Sequence, residues 1–154
     1  MNMEIQAALD VADETDAFLQ ITDVVFDRVE EGGYASLTQA EKTVYCIDSL
    51  SREMENGGFA LFFYHEIGAL CPDVLLALES IRAKNSFGIF KKVVDYFPNS
   101  LVPVNEDERI EAFDQVTNEW FDEMAECDDR FLAVGENLIE LTLKFVSKNL
   151  SEFR

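Results

Sequence analysis

The chain is short of bases, nearly without histidine, and sparing with the residues that break or staple a fold. Twelve Lys and Arg stand against 31 Asp and Glu, a net charge of −19. A surface this negative repels nucleic-acid phosphates and anionic lipid headgroups, which argues against direct binding to either, and attracts basic proteins or cations. The single histidine, His65, follows an aromatic run and reads as a partly buried structural residue. The three cysteines, Cys46, Cys71 and Cys127, are odd in number and widely spaced. They make neither a disulfide framework nor a zinc signature, and reduced cytoplasmic thiols are the simplest account. Three prolines and seven glycines are too few for a linker-rich or repetitive chain. No apolar run approaches the ~20 residues of a membrane span. The first ten residues lack the basic and apolar regions of a secretory signal.

Chemistry-bearing patterns are also missing. Cys71 lies six residues beyond His65, a spacing that does not share a helical face, so a thiol–imidazole pair is not supported. Glu106-Asp107-Glu108 lacks the alternating ligands and central glycine of a calcium loop. There is no phosphate-cradling glycine loop, no nucleophile elbow and no basic aromatic patch. The sequence calls for no catalytic residue, no cofactor and no metal.

What the chain does have is 48% hydrophobic residues, including 13 Phe, which a disordered acidic tail would lack. A length of 154 residues is one ordinary domain. The expectation is a folded all-α domain of about seven helices over 1–154, with residues 1–12 flexible. No alternating strand pattern appears.

The negative charge is segregated. Residues 1–31 carry nine acids and one base, Arg28; residues 106–129 carry eleven acids and one base, Arg109; the remainder nets −1. In the first segment Phe18, Ile21, Val25 and Val29 make an apolar stripe, with Asp16, Asp23, Asp27 and Glu30 on another face and Gly32-Gly33 as the stop. In the second, Ile110, Phe113, Val116, Thr117, Trp120, Phe121 and Met124 predict one continuous amphipathic helix. Its other face carries Glu111, Asp114, Glu119, Asp122, Glu123 and Glu126. Like charges one turn apart repel, so only the apolar stripes can hold these helices. Duplex DNA carries about one charge per 1.7 Å of axis, so the excess in the two segments corresponds to about ten base pairs. The ten named carboxylates are the candidate partner-binding residues.

Between the acidic segments, Thr38 and Glu41 have the spacing of a capping box. The helix they open runs to a stop at Gly57-Gly58, where a corner leads into the run from Phe59 to Ile67. Pro72 suits the first turn of the next helix. Ser86 is expected to cap a helix over 87–97, 98–105 to be a loop, and 131–153 to be a final helix.

The run Asn56-Gly57-Gly58-Phe59, with Phe62-Phe63-Tyr64 downstream, resembles the signature of the bacterial DNA-mimic protein family, whose shared domain otherwise has no assigned function. Leu37-Thr38, Glu41-Lys42 and Tyr45 before it, and Asp128-Asp129-Arg130-Phe131 after it, match further pieces, so that the resemblance covers about 34–150. It implies an α-helical homodimer that presents a negative surface to a basic DNA-binding protein, such as a transcription regulator, and keeps it off DNA. His65 stands where family members commonly have a polar amide. The main alternative is an immunity protein neutralising a basic toxin such as a nuclease. An enzyme working through clustered carboxylates, and a scaffold acidic only for solubility, are further rivals.

Overall fold

A computed structural model describes residues 2–154. Among these residues the chain forms eight α-helices and no strand: α1 Met3–Leu9, α2 Glu14–Gly32, α3 Gln39–Tyr64, α4 Cys71–Ser80, α5 Lys84–Asp95, α6 Glu106–Glu119, α7 Phe121–Ala133 and α8 Leu138–Lys148. Short 3-10 turns at Tyr34–Ser36, Glu66–Leu70, Pro98–Ser100 and Leu150–Glu152 link or end them. Among the described residues no single helix is long and apolar enough to cross a membrane.

The long α3 is the spine. Thr38 accepts from the Glu41 N–H while the Glu41 carboxylate accepts from the Thr38 N–H, closing the expected capping box. The first turns of α3, through Ala40 and Val44, join Ile5, Ala8, Ile21, Val25 and Val146 in a small core under α1, α2 and α8. From Cys46 onward α3 faces a second, larger core shared with α4, α5, α6 and α7. Phe63 lies at its centre, with ring centroids of Phe62 and Phe97 at 5.0 Å and Phe113 at 5.2 Å. Aromatic pairs at such distances add to the burial of their area.

The corner in α3 is made by Gly58 alone. Its φ of 73° and ψ of −158° interrupt the helical path, while Gly57 remains helical and exposed, as does Asn56. Phe59, Phe62 and Phe63 are fully buried just beyond, and Tyr64 is half-buried.

Several boundaries differ from the sequence reading. Residues 3–9, inside the segment expected to be flexible, form α1, with Asn2 accepting from the Glu4 and Ile5 N–H groups and Ile5 buried. The acidic stretch 106–129 is two helices, broken at Trp120, whose φ of −120° and ψ of 39° end α6 and start α7. Trp120 stacks on Tyr96 at 4.9 Å, and Phe121 is thrown outward to 66% exposure, so neither belongs to the buried stripe assigned to it. Residues 131–153 also divide, with Phe131 ending α7 inside the core and α8 starting only at Leu138. Ser86 is buried inside α5 and does not cap it. The Glu136 carboxylate, reaching from the α7–α8 turn, accepts from the Asn85 and Ser86 N–H groups and does that work. His65 is exposed rather than partly buried, at the C-terminal end of α3, with Nδ1 2.7 Å from Glu53 Oε2.

Candidate partner-binding surface

Nine of the ten candidate carboxylates are exposed: Asp16, Asp23, Asp27 and Glu30 on α2, Glu111, Asp114 and Glu119 on α6, and Asp122 and Glu126 on α7. Glu123 is half-buried. Asp114 has an internal partner, since the Tyr64 hydroxyl donates to its Oδ1 at 2.5 Å. That bond, followed by partial burial, holds the Tyr64 phenol above its usual range. The ten acids divide between two packing units. Helix α2 packs on α1, α3 and α8, whereas α6 and α7 pack on α3 and each other, and α7 also on α5. The break at Trp120 further divides the second group between two helix axes.

The bases of these segments are engaged with groups inside the protein. Arg109, the one base of 106–129, is 2% exposed. Its Nε donates to the Phe63 carbonyl at 2.8 Å, Nη2 to His65 at 3.0 Å, and Nη1 to Val104 at 2.8 Å. Two of these carbonyls belong to the last turn of α3 and its cap, the negative end of the helix dipole. Gly68 leaves the passage open, because a Cβ there would stand 2.6 Å from Arg109 Nε. Arg28, the one base of 1–31, lies with Nε 3.0 Å from the fully buried carboxylate of Glu41. Arg154 approaches the same carboxylate at 3.9 Å. The only cation of 106–129 is thus taken up by backbone carbonyls, and that of 1–31, still partly exposed, lies against the buried Glu41 carboxylate, so the outer carboxylates have no cation from the same segment.

Two of the motif pieces that carry the family resemblance meet. Asp128 Oδ1 accepts from the Phe59 N–H at 2.8 Å, capping the part of α3 that restarts after the corner. A Cβ on Gly58 would lie 2.7 Å from that same oxygen. Glycine is needed there twice over, for the positive φ and for the carboxylate's approach. Burial raises the Asp128 carboxyl above its usual range, against the lowering effect of the Phe59 N–H. The Asp-Asp-Arg-Phe run was visible in the sequence, but its contact with the glycine corner was not, because 69 residues separate the partners.

The thiols are closed off. All three are buried, and burial pushes Cys46 and Cys71 up to about 12. Cys71 Sγ donates to the Gly68 carbonyl rather than to His65. Among the described residues no three His, Cys, Asp or Glu side chains gather in a metal-binding arrangement.

A groove of about 580 Å³ opens between α2, the middle of α3, and the α7–α8 turn. Leu19 of α2 and Leu132 of α7 line it, 50% and 59% exposed, as do Asp23, Asp48 and Glu55. It is the place where the first acidic segment comes alongside the end of α7.

The sequence model of the DMP19-like protein family matches residues 35–149, three quarters of the chain. Comparison with curated proteins found no match, and neither did comparison with solved structures.

Proposed function

Since the chain belongs to the DMP19-like protein family, we propose that it is a non-catalytic binding protein acting as a DNA mimic. In this reading the carboxylates of α2, α6 and α7 engage Lys and Arg of a basic DNA-binding protein, such as a transcription regulator, and block its hold on DNA. The observation that carries it is the internal engagement of the two bases, Arg109 buried on backbone carbonyls and Arg28 held against the buried carboxylate of Glu41. An acidic coat kept only for solubility has no need to hold the sole base of each acidic segment away from its outer carboxylates, whereas a mimic of a phosphate backbone does. Phe121, exposed between Glu119 and Asp122, adds an apolar contact of the kind enriched at the centre of protein interfaces.

The test is competition. A DNA-binding protein recovered with this chain at low salt should release labelled DNA when the purified chain is added, with an association rate that falls as ionic strength rises. Reversal of Asp114, Asp122 and Glu126 to Lys should abolish the release. Unchanged competition by that triple variant would remove α6 and α7 from the binding surface.

A further inference from the structure

We propose that the groove between α2, α3 and the α7–α8 turn is the docking site for a basic amphipathic helix of the partner. The proposal rests on the reading of the protein as a binder of basic DNA-binding proteins and specifies where one element of that partner sits.

The apolar side of the argument is the pair Leu19 and Leu132. Both line the groove, and both are at least half exposed. Phe18 and Phe26 of α2 form the wall beside them. Leu19 is set between two candidate carboxylates, Asp16 three residues before it and Asp23 four residues after. That spacing puts apolar anchor and acids side by side on the same helix surface. An apolar face ringed by acids fits an amphipathic helix whose apolar stripe is flanked by Lys and Arg.

The charged side of the argument is a template within the groove. Arg52 Nη2 lies 2.5 Å from Asp48 Oδ2, and its guanidinium stands over the Phe26 ring at 4.9 Å. A guanidinium held between a carboxylate and an aromatic face is the contact that an incoming arginine would repeat with Asp23 or Glu55. Arg52 is the one base lining the groove, against Asp23, Asp48, Glu55 and Glu136. Burial, above all, holds the Asp48 carboxyl above its usual range despite Arg52, and Asp23 and Glu55 push the same way. A further cation would relieve that crowding. The four acids and one base of the lining disfavour an acidic occupant of this groove, the acidic helices of a second copy included.

The experiment uses the full chain and synthetic, dye-labelled peptides about five helical turns long. One carries a Leu stripe with Lys and Arg elsewhere; the second is the same composition scrambled to destroy the stripe; the third replaces the bases by Glu. Fluorescence anisotropy should show binding of the striped basic peptide, weaker binding of the scrambled one and none of the acidic one. The double variant Leu19→Ser/Leu132→Ser should weaken the striped peptide by roughly tenfold or more. Asp23→Asn/Glu55→Gln, which leaves the apolar surface intact, should weaken it and flatten its salt dependence. Retained helical circular dichroism checks that each variant folds. Equal affinity for striped and scrambled peptides, or affinity unmoved by either double variant, would overturn the groove as the site. Sedimentation showing self-association that the leucine variant abolishes would make a second copy the occupant and overturn it too. The two readings separate cleanly. Competition with DNA that survives the leucine variant but not the Asp114, Asp122 and Glu126 reversal leaves the mimic standing without the groove. Peptide binding in the groove by a chain that displaces no DNA leaves the groove without the mimic.

Discussion

A methyl group at position 58 would stand 2.7 Å from Asp128 Oδ1 on a backbone with φ 73°. Gly58→Ala is therefore expected to destabilise the fold by about 1–3 kcal/mol from backbone strain alone, read as a lower urea midpoint. The partner residue gives a graded comparison. Asp128→Ala leaves the Phe59 N–H without its acceptor and should cost about 1–2 kcal/mol. Asp128→Asn, which retains an accepting oxygen without the buried charge, should cost less than Asp128→Ala in the same titration. Arg109 is the other residue with several dependants. Arg109→Met removes the donor from the carbonyls of Phe63, His65 and Val104. The expected loss is roughly 3 kcal/mol, because buried acceptors left unpaired carry their desolvation penalty. Lysine does not rescue it, since one ammonium cannot reproduce the guanidinium fork.

The helices themselves divide into those whose ends are written locally and those whose ends are set from a distance. The start of α3 at Thr38 and Glu41, the stop of α2 at Gly32-Gly33, and Pro72 in the first turn of α4 were legible because cap and capped residue are neighbours in sequence. The break at Trp120 was not. The spacing of Val116, Trp120, Phe121 and Met124 continues an amphipathic pattern, and neither glycine nor proline marks the site. What selects the break is Tyr96, a residue of the α5 end, on which Trp120 stacks. The start of α5 is the same kind of case, since its cap comes from Glu136. Of the candidate surface, nine of the ten acids are exposed, as helical periodicity predicts, and Glu123 is half-buried. The sequence did not reveal the burial of Arg109, the pairing of Arg28 with Glu41 or the groove, which depend on contacts between distant segments. The remote cap gives an element-scale prediction. Burial pushes the Glu136 carboxyl up, but its hydrogen bonds to α5 outweigh that and hold it below its usual range. Glu136→Ala should cost about 1 kcal/mol. The loss should appear as faster amide hydrogen exchange in the first turn of α5, with α2 unaffected.

For the molecule as a whole, net charge and the shifted carboxyls act in the same direction on mild acidification. Asp48 and Asp128 are raised, burial being the leading cause in each. A raised carboxyl contributes stability that is full below its unfolded value of about 4 and is lost as pH rises through the folded value. Asp95 and Glu136 are lowered, so what they contribute is intact above about 4 and is lost only as pH falls further. As pH falls from 7 towards about 4 the lowered pair is unaffected and the raised pair governs, and relief of self-repulsion adds to it. The Tm should therefore rise on acidification across that window, and added NaCl at pH 7 should raise it by screening. A Tm that falls on both counts would contradict the balance drawn from these four carboxyls. The break between α6 and α7 has an optical consequence. Trp120 is the sole tryptophan, 36% exposed and stacked on Tyr96 in the middle of the acidic segment. Its emission belongs to one place on the surface, so an unlabelled sample carries its own reporter for ligands arriving at α6 and α7. A change in that emission, or protection from iodide quenching, would follow occupancy there independently of events elsewhere on the protein.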